Sequence, residues 1–225
     1  MVVRVADQVR AAGAREVIVA TDDQRIAGEV ARHGHVAIMT RADHATGTDR
    51  IAEVAAQRGW ADEQVVVNVQ GDEPRIAPEL VQETARSLLD DASAMMSTAC
   101  HPITHAEQMW DPNIVKVVID GAGHALYFSR APIPWARDAF AVNAKHIPRQ
   151  LPVYRHIGIY AYRSGFLKVY PGLPAPALET AEALEQLRAL WHGYRIAVTI
   201  THLSPAPGVD TPADLQAMRR LYAGL

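Results

Sequence analysis

Hydrophobic and polar positions follow two periods along the first hundred residues. Runs rich in β-branched and apolar residues predict strands at 16–21, 36–40, 64–70 and 94–100. Helical spacing of apolar positions predicts helices at 22–32, 46–58 and 78–89. Strands that alternate with helices across short connections predict an α/β fold with a mostly parallel sheet and helices on both faces. The run 64–70 is apolar almost to its end, which is typical of a central strand covered on both sides.

The middle of the chain departs from this alternation. Residues 114–120 and 125–130 flank Gly121-Ala122-Gly123 and predict a β-hairpin, and 153–163 alternates as a further strand. We therefore predict a single domain over 1–225 with an antiparallel insert at 113–163. A helix at 179–192, a strand at 195–203 and a helix at 211–222 complete the prediction.

Composition excludes several classes of protein. Lys and Arg total 22 and Asp and Glu total 25 over 225 residues, a net charge of -3 without a basic stripe, so we expect no nucleic-acid partner. No apolar run approaches the ~20 residues that span a bilayer, so we expect no membrane insertion. Cys100 is the single cysteine, which excludes an internal disulfide framework and fits a cytoplasmic location.

The start of the chain is unusual for an α/β protein. Val2, Val5, Ala6 and Val9 have helical spacing, and Gly13 ends that pattern. Two interpretations remain open. The fold begins with a helix, or the chain is missing a first strand and the loop that follows it.

The segment Gln70-Gly71-Asp72-Glu73-Pro74 ends the predicted central strand. Ligands of open α/β sheets bind at the carboxyl ends of strands. Asp72 there could hold Mg²⁺ against substrate phosphates, since Mg²⁺ prefers one or two carboxylates with phosphate oxygens and water. An acidic turn without a ligand is the alternative.

A second acidic segment precedes the last helix. Thr211, Pro212 and Asp214 are accounted for by an N-cap, a first-turn proline and a capping-box acid. Asp210 remains. It could be a second metal carboxylate, or an acid favoured by the helix dipole.

Three further patterns have both a binding and a structural interpretation. Arg50, in the first turn of the helix at 46–58, could meet an anion or pair within the helix. On the strand at 153–163, one face carries Tyr154, His156, Gly158, Tyr160 and Tyr162. Such a face suits a polyhydroxylated ligand, and equally a half-buried sheet. On the helix at 179–192, Glu182, Glu185 and Gln186 share a face that could be functional or solvated.

Several common motifs are absent from the sequence. It has no Gly-rich phosphate loop ending in Lys-Ser or Lys-Thr, no dinucleotide fingerprint and no serine nucleophile elbow. His101 and His105 are four residues apart but lack the glutamate of a zincin motif.

Taken together, the sequence blocks resemble the CMP-KDO synthetases, the 3-deoxy-manno-octulosonate cytidylyltransferases. The matching blocks are IVATDD at 18–23, MTRADHATGTDR at 39–50, VNVQGDEP at 67–74, NIVKVV at 113–118, ALYFSRAPIPW at 125–135, RHIGIYAYR at 155–163, LEQLRALWHG at 184–193 and GVDTPADL at 208–215. The resemblance implies a Rossmann-like nucleotidyltransferase fold. It also implies Mg²⁺-dependent transfer of CMP from CTP to the anomeric hydroxyl of KDO, with release of pyrophosphate, for lipopolysaccharide biosynthesis.

The resemblance also implies roles for individual residues. Asp72 and Asp210 would hold Mg²⁺ and act in catalysis, and the sugar side would be lined by Arg50, Gln70, His156, Tyr160 and Glu185. Arg50 and His156 suit the carboxylate of KDO, and the other three suit its hydroxyls. The family is typically homodimeric, and the insert with its PIPW segment would supply much of the contact.

The match departs from the family at the amino terminus. Family members begin with a strand and a basic loop of the form PARxxSxRLPGKPL, which cradles the triphosphate, and Met1-Val2-Val3 aligns with the helix after it. The resemblance therefore implies that the chain is incomplete at this end. Two alternatives follow: a cytidylyltransferase for another acidic sugar such as sialic acid, and a non-catalytic dimeric remnant that binds sugar or nucleotide.

Overall fold

The computed structural model describes residues 1–203 and 208–224. The strands are β1 (Ile18–Thr21), β2 (Val36–Met39), β3 (Val65–Asn68), β4 (Met96–Pro102), β5 (Lys116–Ile119), β6 (Ala125–Ser129), β7 (Tyr154–Arg163) and β8 (Ile196–Ile200). The helices are α1 (Val2–Ala11), α2 (Gln24–Arg32), α3 (Gly47–Arg58), α4 (Pro78–Asp90), α5 (Ala106–Trp110), α6 (Arg137–Val142), α7 (Ser164–Val169), α8 (Ala177–Glu182), α9 (Gln186–Trp191) and α10 (Pro212–Ala223). The predicted α/β fold class is confirmed, but the mostly parallel sheet is not: β1–β2 and β4–β8 pair in parallel, whereas β3–β7, β4–β7, β5–β6 and β5–β7 are antiparallel. The predicted domain 1–225 also includes 204–207 and 225, which lie outside the described residues.

The strands form two sheets. Strands β1 and β2 pair in parallel as one, and the other six form a second sheet in which β4 and β8 are parallel. Strand β7 lies in its middle. It is antiparallel to β4 along one side and, along the other side, to β3 at one end and β5 at the other. The strand predicted within an antiparallel insert is therefore the centre of the sheet, because its ten residues are long enough to pair with three neighbours.

Both faces of the large sheet are covered, as predicted. On one face Tyr160 and Tyr162 of β7 pack with Ala52 and Ala55 of α3 and with residues of α7 and α9. On the other face Ile157, Ile159 and Ala99 pack against Leu80 and Val81 of α4. Consecutive side chains of a strand point to opposite faces, so β7 contributes to both cores.

A β-bulge interrupts the ladder between β4 and β7. Thr98 pairs with Tyr160 and Ala99 pairs with Ile157, so Gly158 and Ile159 have no partner on β4. Two extra residues preserve the alternation, and His156, Tyr160 and Tyr162 therefore remain on one face. Bulges re-aim side chains and occur often beside functional sites.

The single helix predicted at 179–192 is wrong. Helix α8 ends at Glu182, Ala183 adopts a left-handed conformation with φ 50°, and α9 begins after Glu185. The break places Glu182 on α8 and Glu185 and Gln186 at the start of α9, so these three residues do not share one helix face. The Glu182 carboxylate accepts hydrogen bonds from the Ser129 hydroxyl at 2.6 Å and the Arg130 amide at 2.9 Å.

Local capping explains most of the predicted helix starts. Thr46 caps α3 by accepting from the Asp49 amide, and Thr211 and Asp214 form the predicted capping box of α10. None of the helices in the described ranges has the length and apolar character needed to cross a membrane.

Candidate active site

The carboxyl end of β3 and the segment before α10 meet. The Gln70 carbonyl accepts from the Glu73 amide at 3.2 Å, which turns the chain after β3. The Val209 amide then donates to the Asp72 carbonyl at 3.0 Å. At Gly208 a Cβ atom would lie 3.5 Å from Glu73 Oε1, so the two segments are in close contact. This backbone contact brings Asp72 and Asp210 together.

Negative charge accumulates at this contact. Burial raises the pKa of Glu73, the charges of Asp72 and Asp210 raise it further, and Arg155 opposes them. Because carboxylates within interaction distance destabilise each other's ionised forms, the site favours a cation. Glu73 and Arg155 were not among the predicted site residues. Glu73 is visible in the sequence beside Asp72, whereas Arg155 depends on the placement of β7.

The carboxylates of Asp72 and Asp210 suit a Mg²⁺ ion that is also coordinated by water and substrate phosphates. Within residues 1–203 and 208–224, no group of three His, Cys, Asp or Glu side chains is placed to enclose a metal ion. Two carboxylates leave most coordination positions to water and substrate phosphates, which is the mode that Mg²⁺ prefers. The metal roles of Asp72 and Asp210 stay predictions.

A row of rings lies on the face of β7 that carries His156, Tyr160 and Tyr162. The centroid of the His156 ring lies 4.9 Å from that of Phe128 and 5.4 Å from that of Tyr160. The Tyr160 and Tyr162 centroids are 6.0 Å apart. The predicted shared face of β7 is thus present, and one side of it is packed into the core.

The row is electrically neutral at physiological pH. Burial lowers the pKa of His156 to about 3 and raises the pKa values of Tyr160 and Tyr162 well above the usual value for a phenol. His156 could therefore meet a sugar carboxylate only through a hydrogen bond and not as a cation.

Glu185 lies at the same face. Its pKa is raised by burial, and hydrogen bonds with Thr48 and Thr46 act in the opposite direction. The Thr48 hydroxyl is also 2.9 Å from the Tyr162 hydroxyl. The start of α3, the end of β7 and the start of α9 therefore meet in one polar cluster, which contains Thr48, Tyr162 and Glu185.

Asn68 was missed by the sequence prediction. It ends β3, two residues before Gln70, and its Nδ2 atom is buried without a hydrogen-bond partner among the described residues. The Asn68 side chain lies close enough to the Tyr162 hydroxyl to oppose the rise of the Tyr162 pKa. An unpartnered buried donor is uncommon in folded proteins, and here it lies among the predicted binding residues. Its position at a strand end was the available sequence indication.

Arg50 and Gln70 are placed differently from the ring row. The Arg50 guanidinium donates to the Thr40 hydroxyl at 2.6 Å and lies 3.5 Å from the Asp22 carboxylate, at the ends of β1 and β2. Gln70 is exposed, and its side chain makes no hydrogen bond within the described ranges. The structure thus groups His156, Tyr160 and Glu185, brings Asp72 and Asp210 near Glu73, and leaves Arg50 with Asp22.

Comparison with known proteins is consistent with this geometry. The cytidylyltransferase family model matches residues 1–196. A solved structure of CMP:2-keto-3-deoxy-manno-octonic acid synthetase complexed with CTP is 40% identical in sequence. The match covers 98% of this chain and 86% of that chain, with a TM-score of 0.87. The chain belongs to the cytidylyltransferase family and is a nucleotidyltransferase.

Proposed function

We propose that the chain transfers CMP from CTP to 3-deoxy-manno-octulosonate, releasing pyrophosphate, and that the product serves lipopolysaccharide biosynthesis. The observation that carries this proposal is a cluster of carboxylates, in which Asp72 and Asp210 both act on Glu73, after the strand β3 that pairs with the ring-bearing strand β7. The 40% identity to a synthetase of this sugar nucleotide supports the choice of sugar.

The reaction requires positioning more than covalent chemistry. A sugar hydroxyl attacks the α-phosphorus in line with the leaving pyrophosphate, and charge develops on the phosphate oxygens. Asp72 and Asp210 would hold Mg²⁺, which neutralises that charge when bound. The Arg155 guanidinium, close enough to influence Glu73, adds positive potential at the same place.

The ring row would hold the acceptor sugar. Tyr160 and Glu185 would bind its hydroxyls through a hydroxyl and a carboxylate, and the burial that raises their pKa values would strengthen such hydrogen bonds. Gln70 is exposed, and its amide would be free to bind a sugar hydroxyl. Arg50 would bind an anionic group with guanidinium N–H donors that its contacts with Thr40 and Asp22 leave free.

Pyrophosphate release tests this function. CTP and Mg²⁺ with KDO should release pyrophosphate, whereas sialic acid in place of KDO should give far less. Equal turnover with sialic acid would contradict the proposed sugar. No release with either sugar would favour the non-catalytic remnant.

We further propose a homodimer formed through the insert. Trp135 is 56% exposed and Trp110 is 40% exposed, and their centroids lie 5.7 Å apart in an edge-to-face contact. Phe140 packs against both rings. Clustered exposed aromatic side chains are typical of interfaces.

The oligomeric state can be measured by sedimentation. Trp135→Lys should shift the protein toward monomer, whereas Trp191→Lys, at an exposed tryptophan outside the insert, should not. A monomeric wild type would contradict the dimer. Cys100 is a free buried thiol, which is compatible with the cytoplasm as the site of the reaction.

A further inference from the structure

Thr98 occupies the point where the ladder between β4 and β7 is interrupted. The residue is fully buried, and its hydroxyl lies 2.7 Å from the Ile159 carbonyl and 3.2 Å from the Ile157 carbonyl. The same hydroxyl lies 2.9 Å from Nε2 of His156. The bulge leaves Ile159 without a partner on β4, so the Thr98 hydroxyl compensates for the irregularity that it faces.

The number of available protons determines the direction of these hydrogen bonds. A threonine hydroxyl has one proton and two lone pairs, and a carbonyl oxygen can only accept. The Thr98 hydroxyl therefore donates its proton to the Ile159 carbonyl, and the Ile157 carbonyl is a weaker second acceptor. Nε2 of His156 must then carry a proton and donate to Thr98 Oγ1.

A neutral imidazole carries only one ring proton. With that proton on Nε2, Nδ1 has a bare lone pair. Burial keeps the ring neutral, since it lowers the pKa of His156 to about 3. Among the described residues Nδ1 has no hydrogen-bond partner, and His156 as a whole is only half-buried.

We propose that Thr98 is a positioning residue that holds His156 as the Nε2–H tautomer, so that Nδ1 accepts a hydrogen bond from a hydroxyl of the acceptor sugar. This inference rests on the proposed function for its substrate. It assigns His156 to a sugar hydroxyl and not to the sugar carboxylate, because a bare nitrogen cannot donate to an anion. The tautomer itself is a property of the free protein.

The tautomer is measured first in the wild-type protein without substrate. Nitrogen-15 NMR of the histidine rings distinguishes Nε2–H from Nδ1–H, and a His156→Gln variant identifies the signal. We expect the Nε2–H form between pH 5.5 and 8. A dominant Nδ1–H form would overturn the proposal without any change at Thr98, and it would do so whichever sugar the enzyme uses.

Variants of Thr98 then test the coupling to binding. Thr98→Val should give a mixed tautomer population and raise the KM for KDO about tenfold, with little change in the KM for CTP. Thr98→Ser keeps the hydroxyl and should keep the wild-type tautomer and KM values.

Thr84→Val is the matched control. Thr84 is also fully buried and donates to a carbonyl, that of Leu80 at 2.8 Å. It should lose stability without a change in either KM. If Thr98→Val retains the wild-type tautomer, or raises both KM values equally, the positioning role is wrong. If wild type fails to use KDO, the proposed function fails, and the ring spectrum still decides the tautomer.

Discussion

The two halves of the candidate site differ in charge and in exposure. Around Asp72 and Asp210 three carboxylates and Arg155 influence one another at a partly hydrated edge of the sheet. Around His156 and Tyr160 the groups are shielded, and burial keeps them neutral. The first region suits phosphates and a cation, and the second suits hydroxyl groups. A nucleotidyltransferase needs both environments side by side, because its donor is highly charged and its acceptor is a hydroxyl.

The largest expected effect is at the charged region. Asp72→Asn keeps the side-chain shape but removes the charge, and it should reduce kcat about a hundredfold or more, since catalysis there is electrostatic. Steady-state pyrophosphate release at several Mg²⁺ concentrations measures this. Asp138→Asn, at a carboxylate that is 97% exposed, is the matched control and should leave activity unchanged. Equal activity of Asp72→Asn and wild type would contradict the proposal that Asp72 binds Mg²⁺.

The neutral region depends on an ion pair buried behind it. Arg188 donates to the Glu179 carboxylate at 2.5 and 2.8 Å and lies 4.7 Å from the centroid of the Tyr170 ring. Tyr170 in turn donates to the Glu185 carbonyl. Arg188→Ala should reduce the free energy of unfolding by about 3 kcal/mol, because it leaves a buried carboxylate unpaired.

Urea unfolding measures that loss. Arg137→Ala, which breaks a pair exposed on both sides, should change stability little. A loss at Arg188 no larger than at Arg137 would show that the pair does not support the region.

The neutrality of His156 predicts a pH dependence of stability. Its pKa falls from 6.5 to about 3 on folding, so below pH 6.5 the unfolded chain binds a proton that the folded protein does not. The stabilising contribution is complete above pH 6.5 and is lost as pH falls toward 3. Between pH 6.5 and 5 wild type should lose about 1.6 kcal/mol more than His156→Gln. Parallel losses would mean that His156 titrates normally in the folded protein.

The smallest effect concerns the hydroxyl contact between α3 and β7. Tyr162→Phe removes the hydrogen bond with Thr48 and should cost about 1 kcal/mol of stability. Thermal unfolding measures this against Tyr194→Phe, whose hydroxyl makes no hydrogen bond within the described ranges. A larger loss at Tyr194 would contradict the assigned contact.

Sequence prediction succeeded where local chemistry is sufficient. The turn after β3 and the capping box of α10 depend on residues within a few positions of one another. It failed at 179–192, where the residues have helical propensity but Ala183 is left-handed. There, Glu182 binds Ser129 and Arg130, and Glu185 turns to Thr48 and Thr46, which are contacts with distant segments.

The sequence by itself determined the α/β class, the helix caps and which residue types are available for chemistry, because these follow from periodicity and short-range hydrogen bonds. Only the tertiary structure decided that β7 lies in the centre of the sheet and that the Val209 amide donates a hydrogen bond to the Asp72 carbonyl. The same holds for the bulge that places Thr98 against His156. Each of these depends on pairing between segments far apart in the chain, and the free energy of such pairing comes from the packed core as a whole.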